Sequence, residues 1–211
     1  MPRTMPGLQP GDPAAVLEEA CREEEAVRGR LFTGGSLPDG ADLPRLDISG
    51  CRFENCRFPS SGLQGFSAGD SVFTGCDLSG CRFDGGYFGR VVFRGCRLTG
   101  AVFQNCGFSN VLLEDCTAGY ARFNDSRIDR AIFRGCRMEN AVFTGVAFTK
   151  TALEDCMLSG ADFMHARLSG MDFTQSHLSG ACFEVQALRG AVFTPEQAVM
   201  LIRTLGVIVR E

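Results

Sequence analysis

The chain has 211 residues, 45% hydrophobic and 22% charged, a composition typical of a folded protein and not of a disordered or collagen-like one. No stretch reaches the roughly 18 apolar residues of a membrane span, and the start lacks a secretory signal, so we expect a cytoplasmic protein without a membrane partner. A net charge of −4 disfavours direct nucleic-acid binding, and 11 cysteines without such a signal favour free thiols over disulfides.

The N-terminal region is predicted to hold a short helix. Residues 1–11 are expected to be disordered, and residues 12–40 to form a helix followed by a linker. Asp12 is the expected N-cap with Pro13 at the first helical position, and the helix is expected to cover about four turns from Ala14 to Arg30. The Gly-rich segment from Gly34 predicts the linker. The sequence leaves open whether residues 1–40 cap the following region or bind a ligand.

A repeat of five residues dominates the chain from residue 41 onward. Every fifth residue from Leu43 to Phe193 is apolar in 31 successive units, and these centres include 16 of the 18 phenylalanines. The residue two before each centre is mostly small, and the residue two after it is Gly, Asn or Asp in 21 of the 31 units. Since neither a helix nor a plain strand has this period, we expect a coil that turns a corner once per unit. The large centre and the small residue two before it then face inward, and Gly, Asn or Asp lies at the corner.

Cysteine spacing predicts the number of units in one coil. Six cysteines recur at intervals of twenty residues: Cys56, Cys76, Cys96, Cys116, Cys136 and Cys156. Four pentapeptides per coil would place these six on one wall. At about 4.8 Å per layer, nearly eight coils would extend about 37 Å.

With this register the chain resembles the pentapeptide repeat family. Ala161-Asp162-Phe163 and Met171-Asp172-Phe173 come close to the family consensus, and the resemblance spans residues 41–195. It implies an all-β solenoid, a right-handed quadrilateral β-helix of pentapeptide repeats over residues 41–194, with short helical N- and C-terminal segments.

One segment, residues 59–70, departs from the regular pattern. Phe66 and Ala68 reverse the usual large and small positions, and Pro59 and several glycines surround them. Members of the family that protect topoisomerases sometimes carry loops, so a loop is one interpretation. A degenerate but regular coil is the other, and the sequence slightly favours it.

The C-terminal segment, residues 195–211, predicts a helix that caps the solenoid and joins two copies. Thr194 and Gln197 fit a capping box around Pro195, and Gly206 is a plausible stop. Because the apolar residues cover more than one face, one face can cover the last coil and the other can form a homodimer. The predicted dimer residues are Val199, Met200, Leu201, Ile202, Leu205 and Val207. The alternative is a monomer whose tail folds back.

No catalytic, cofactor or metal site is predicted, and the protein is not expected to be an enzyme. A straight file of thiols can neither surround a metal nor align for disulfides, so the spaced cysteines are expected to be buried, with Cys21 and Cys182 more exposed. His165 and His177 are expected at outward positions without an acidic or cysteine partner. A core packed with phenylalanine leaves no room for a substrate.

Two oppositely charged walls are expected on the outside. The acidic wall carries six acids against Arg52, Arg94 and Arg134, and its predicted partner surface comprises Glu54, Glu114, Asp115, Glu154, Asp155 and Asp172 with an outward apolar column of Val72, Val92, Leu112 and Ile132, continued by Ala152. The basic wall carries Arg90, Arg127, Arg130, Lys150, Arg167 and Arg189 against Asp47, Asp70 and Asp129. The apolar column fits a contact site and ordinary strand preference equally well.

The length, the continuous solenoid and the C-terminal helix resemble the dimeric quinolone-resistance and self-resistance members of the family. This resemblance implies a rod of two solenoids about 75 Å long that binds DNA gyrase or a related type II topoisomerase as a DNA mimic and protects it from an inhibitor. The alternative is a non-enzymatic scaffold or regulator that binds an unrelated protein.

Overall fold

The computed structural model describes residue 2, residues 7–204 and residues 207–210. Helix α1 spans Pro13–Glu23, helix α2 spans Pro195–Thr204, and a 3₁₀ helix spans Val185–Leu188. The β-strands are two to four residues long: β1 Gln9–Pro10, β2 Val27–Arg28, β3 Arg30–Thr33, β4 Asp47–Ser49, β5 Arg52–Glu54, β6 Ser67–Gly69, β7 Val72–Thr74, β8 Tyr87–Gly89, β9 Val92–Arg94, β10 Gly107–Ser109, β11 Leu112–Glu114, β12 Arg127–Asp129, β13 Ile132–Arg134, β14 Ala147–Thr149 and β15 Ala152–Glu154.

The strands form two parallel sheets that run along the molecule. The odd-numbered strands form sheet A in the order β1-β3-β5-β7-β9-β11-β13-β15, and the even-numbered strands form sheet B from β2 to β14. Phe108 lies beside Phe88 on one side and Ile128 on the other, so neighbouring layers are twenty residues apart. Single parallel bridges such as Arg57 to Asp77 and Arg82 to Val102 repeat this spacing on two further walls. The predicted β-solenoid with four pentapeptides per coil is confirmed.

Apolar side chains from all four walls fill the interior. The unit centres are buried from Leu43 to Leu178. The longest ring stack joins Phe83, Phe103, Phe123, Phe143, Phe163 and Phe183, with centroids 4.9–5.1 Å apart. A parallel register makes such stacks inevitable, because identical side chains then lie one above another at the strand spacing.

Corners occur at every fifth residue and share one backbone conformation. From Gly40 to Gly190 these residues have positive φ, with the exceptions of Gln175 and Val185. Gly, Asn and Asp tolerate this left-handed region, which explains the composition of the position. Seven bulkier or different residues adopt it as well: Arg45, Ser60, Arg90, Tyr120, Arg130, Lys150 and His165.

Residues 59–70 form a regular coil, as the sequence slightly favoured. Strand β6 pairs with both β4 and β8, so no loop interrupts the stack here. Phe66 is buried and lies against Phe83 and Phe88, with ring centroids 5.5 and 5.8 Å away. Its ring supplies the volume that Ala68 lacks. Gly86, one layer on from Phe66, must stay small because a Cβ there would lie 2.9 Å from the Phe66 carbonyl oxygen.

The N-terminal region differs from the prediction. Asp12 is the N-cap of α1, since its Oδ2 accepts a hydrogen bond from the Ala15 amide at 2.9 Å. However, α1 ends at Glu23 and not at Arg30, because Glu24 adopts a left-handed conformation with φ 54°. Strands β2 and β3 follow and pair with β4 and β5, so part of the expected helix and linker is already solenoid.

A one-residue shift in the repeat explains why the five-residue pattern did not predict this first coil. Phe32 pairs with Phe53, 21 residues away, whereas Asp42 pairs with Gly62 at the usual twenty. The extra residue lies between Ser36 and Asp42. Before it, the buried side chains are Val27, Phe32 and Leu37, each one residue earlier than counting back in fives from Leu43 would predict. Strand β1 also pairs with β3, so residues 9–10 are ordered. Met1 and residues 3–6, expected to be disordered, lie outside the described residues.

Helix α2 begins with the predicted capping box. The Thr194 amide donates to Gln197 Oε1 at 2.9 Å, and the Gln197 amide donates to Thr194 Oγ1 at 3.2 Å. Gln197 Nε2 also donates to the carbonyl oxygens of Phe173 and Ser176, both at 2.9 Å. One side chain therefore starts the helix and ties it to the last full coil. The expected stop at Gly206 lies outside the described residues.

Candidate functional site

The interior thiols are packing groups. The eleven cysteines are free, and the six spaced at twenty residues are buried. Each of these thiols contacts backbone carbonyls; Cys96 Sγ, for example, donates to the Phe73 oxygen at 3.4 Å. Away from this row, burial raises the pKa of Cys81 and of Cys106 to about 12, which keeps both thiols protonated and unreactive. Cys182 is exposed and Cys21 half-buried, as predicted.

The described residues contain no cluster of three or more His, Cys, Asp or Glu that could hold a metal ion. In the same part of the chain, no helix is long and apolar enough to cross a membrane.

His165 has an acidic neighbour that the sequence analysis missed. Its Nδ1 lies 3.1 Å from Glu184 Oε2 in the next coil, so the expectation of no acidic partner was wrong for this residue. A separation of 19 residues, one short of a full coil, places the two side chains beside each other. The pair lies on an exposed corner, which suits a surface contact better than catalysis.

The outer wall of sheet A, the predicted acidic wall, is crossed by a row of ion pairs. Glu114 accepts from Arg94 Nε at 2.6 Å through one oxygen and lies 3.3 Å from Arg134 Nη1 through the other. Arg134 Nε in turn lies 2.7 Å from Glu154. Hydrogen bonds from Arg94 hold the pKa of Glu114 below its usual range. The residues alternate in charge along one register column, so much of the expected negative charge is neutralised.

The acids at the edge of this wall remain more available. Asp115 and Asp155 lie exposed at corners with φ 53° and 51°, two coils apart, and neither has an ion-pair partner within residues 7–204. Asp172 lies toward the other side of the wall and is exposed as well; its Oδ1 accepts from the Thr174 hydroxyl at 2.6 Å, which lowers the pKa of Asp172. Glu54 lies 3.8 Å from Arg52.

A shallow groove runs along this same edge. Its volume is about 470 Å³, and it opens where the corner residues Gly75 and Gly95 have no side chain. Arg57, Asp77, Arg97 and Asp115 line it, and Arg97 is paired with Asp77 at 3.0 Å. The groove therefore carries both signs of charge.

The predicted apolar column is less exposed than expected. Val92 and Leu112 are each only 5% exposed, so the column offers little accessible apolar surface at these two positions. Val72 and Ile132 are half-buried. The reason is register: Val72, Val92, Leu112 and Ile132 stack in successive strands, and branched side chains at the strand spacing cover one another.

The outer wall of sheet B carries the predicted basic residues. Arg90 forms two hydrogen bonds to Asp70, at 2.7 and 2.6 Å, and Arg130 pairs with Asp129 at 2.6 Å. Arg127, Lys150 and Arg167 are exposed and have no ion-pair partner in the described part of the chain. The net positive charge expected for this wall therefore stays accessible.

Exposed aromatic side chains were not singled out from the sequence. Tyr87 on sheet B is 52% exposed, and Tyr120 at a corner is 64% exposed. They are the only tyrosines of the chain and occupy outward positions of the repeat, which was a usable signal.

The structure of the C-terminal segment divides the predicted dimer residues into two groups. Leu201 is buried and Met200 packs against the core, so these two belong to the cap of their own chain, and Val199 is half-buried. Ile202 and Val207 are 42% and 50% exposed, and Ile208, which was not singled out, is 83% exposed. Leu205 lies outside the described residues.

Comparisons with known proteins agree with this architecture. The family model described as a pentapeptide repeat region matches residues 46–123, 67–143 and 86–163, and the one described as pentapeptide repeats (8 copies) matches residues 156–194. No curated protein matches the chain significantly.

Among solved structures, full-length QnrB1, a plasmid-mediated fluoroquinolone resistance protein, has a TM-score of 0.57 at 19% identity, covering 84% of this chain and 99% of its own. HetL, a pentapeptide repeat protein involved in heterocyst differentiation regulation from the cyanobacterium Nostoc, has a TM-score of 0.39 at 19% identity, covering 81% of this chain and 87% of its own.

Proposed function

Because the chain belongs to the pentapeptide repeat family, we propose that it is a non-enzymatic solenoid that binds DNA gyrase or a related type II topoisomerase and protects it from an inhibitor. The observation that carries the proposal is a pair of exposed corner acids, Asp115 and Asp155, which have no ion-pair partner in the described part of the chain. Two coils, about 10 Å, separate them along one edge of the solenoid, and the exposed Asp172 lies toward the other side of the same wall. The likeness in fold to a fluoroquinolone resistance protein supports the choice of partner.

The ion pairs on sheet A narrow the surface that can act as a DNA mimic. Glu114 is held between two arginines, so its charge is already compensated. In this proposal the edge acids therefore contact the enzyme's basic DNA-binding surface, and the ion pairs keep the wall flat and rigid.

A homodimer through α2 is part of the same proposal. Ile202 and Val207 are its contact residues, while Leu201 and Met200 stay in the cap. Two solenoids joined in this way would form a rod about 75 Å long. Sedimentation of the purified chain tests this step, and a monomer at micromolar concentration contradicts it.

A supercoiling assay with gyrase and a fluoroquinolone tests the protective function. The wild type is expected to restore supercoiling, and the variant D115N/D155N/D172N is expected to need about tenfold more protein. A control, D42N/D84N/D125N, removes three acids from a different wall and is expected to behave as the wild type. No rescue and no inhibition by micromolar wild-type protein would reject the proposal.

The second candidate function is a scaffold that binds an unrelated protein. The unpaired cations on sheet B favour it, because a mimic of DNA has no use for them. If the chain fails in the gyrase assay but binds an acidic ligand, that result supports this alternative.

A further inference from the structure

One stretch of sheet B concentrates positive charge that ion pairs within the described residues neutralise only in part. We call it the basic patch, and its members are Arg127, Arg130, Lys150 and Arg167. Arg127 and Arg167 lie in one register column with Ala147 between them, which puts their Cα atoms about 10 Å apart. Arg130 and Lys150 occupy successive corners of the same wall. Four cations therefore lie within three layers.

The acids near the basic patch do not balance it. Asp129 pairs with Arg130, and Asp125 lies at the opposite corner of the wall. The other three cations have no ion-pair partner among the described residues. A local excess of two positive charges results, although the whole chain carries −4.

Two of the cations occupy an unfavourable backbone conformation. Arg130 and Lys150 have φ 51° and 49°, a region where Gly or Asn costs less, and Gly170 occupies it one layer later. Two successive corners of one column therefore carry cations where a smaller residue would cost less.

The surface beside the basic patch is flat and carries an aromatic side chain. Tyr87 lies over two glycines, since a Cβ built on Gly89 or Gly107 would lie 2.9 or 3.1 Å from its ring. Ser109, two residues after Gly107 in the same strand, also has a short side chain. An extended segment can therefore approach this wall closely from the Tyr87 side, and Tyr together with Arg is the composition typical of binding hot spots.

We propose that the basic patch binds a short acidic peptide segment of a partner protein. Its extent is close to one Debye length at physiological ionic strength, about 8 Å, so a ligand of a few carboxylates experiences mainly the local charge. A long polyanion such as duplex DNA would also meet the rest of the surface of a chain whose net charge is −4. The inference does not depend on binding to a topoisomerase, because it concerns a different wall.

Fluorescence anisotropy with a defined probe tests the proposal. The probe is a fluorescein-labelled peptide with four consecutive glutamates, and its controls are the same peptide with glutamines and a labelled 12-base-pair DNA duplex. The full chain is expected to bind the glutamate peptide at low salt, more weakly as salt is raised, and to bind both controls at least about tenfold more weakly.

Two variants with the same change in net charge locate the binding. R127Q/K150N/R167Q removes the unpaired cations, with Asn chosen because it tolerates the corner conformation, and is expected to weaken binding about tenfold or more. R82Q/R122Q/R137Q removes three exposed arginines from other walls and is expected to change binding by less than about twofold. Circular dichroism and thermal melts establish that both variants are folded.

Three results would overturn the inference. They are absence of peptide binding at low salt, equal weakening by both triple variants, and tighter binding of the duplex than of the peptide. The last result would make this wall a nucleic-acid surface.

Discussion

The central coils and the C-terminal end follow the same five-residue pattern but reach different packing. Phe123, in the middle, is fully buried between Phe103 and Phe143, with ring centroids 5.0 and 5.1 Å away. Phe193 stacks on Phe173 at 5.1 Å and is only half-buried. An inward position is thus fully buried only when layers lie on both sides of it.

Regularity of the backbone fades toward the same end. The two corners without positive φ, Gln175 and Val185, both lie there, and a 3₁₀ helix starts at Val185. Beyond β15 the layers are joined by single bridges such as Asp172 to Val192. Stacking, and not the pentapeptide alone, therefore maintains the corner conformation, and α2 stabilises the layer that lacks a successor.

The largest expected effect is a loss of stability that differs between the central coils and the C-terminal end. Phe123→Ala should lower the free energy of unfolding by about 3–5 kcal/mol, because it leaves a cavity in the middle of a ring stack. Phe193→Ala should cost clearly less, since its ring is already partly in water. Urea unfolding followed by circular dichroism measures both, and equal losses would contradict the comparison.

The next effect concerns the attachment of the cap. Gln197→Ala removes one half of the capping box and both hydrogen bonds to the last full coil. A loss of about 1–2 kcal/mol is expected, with faster amide exchange in α2 than in the central strands. Gln186→Ala, at an exposed position of the 3₁₀ helix, is the control. Unchanged exchange in α2 would show that other contacts hold the helix.

A corner in the central coils should show an intermediate effect. Gly135→Ala forces a side chain into φ 58° and places its Cβ 2.5 Å from Asp115 Oδ1, so a loss of about 1–2 kcal/mol is expected. Gly69→Ala is the matched control, because Gly69 is not left-handed and its nearest contact would be 3.8 Å away. If thermal melts rank the two variants in the opposite order, the account of the corners is wrong.

The smallest effect tests the ion pairs on sheet A, which join Arg94, Glu114, Arg134 and Glu154 in the central coils. Because the pKa of Glu114 is lowered in the folded chain, its contribution to stability is present above the usual glutamate pKa of about 4.3 and is lost as pH falls through the lowered value. Wild type should therefore melt slightly above Glu114→Gln at pH 7, and the difference should vanish in acid. A difference that persists at pH 2 would point to packing and not to charge.

Several features followed from residues close together in sequence. The inward centres, the corners, the N-cap Asp12 and the Thr194–Gln197 capping box were predicted correctly, because period, turn preference and capping depend on neighbours a few residues apart. The same reasoning placed the six spaced cysteines in the buried interior.

Other features depended on contacts between layers. An extra residue before Asp42 hid the first coil, since only pairing of Phe32 with Phe53 reveals the shifted register. Counting charges by wall could not show that Arg94 and Arg134 share Glu114, nor that Lys150 lacks an ion-pair partner among the described residues, because salt bridges depend on rotamers and on the distance between layers. The sequence alone determined which residues of each repeat face inward. Only the stacked structure decided which of the outward charges stay accessible to a partner.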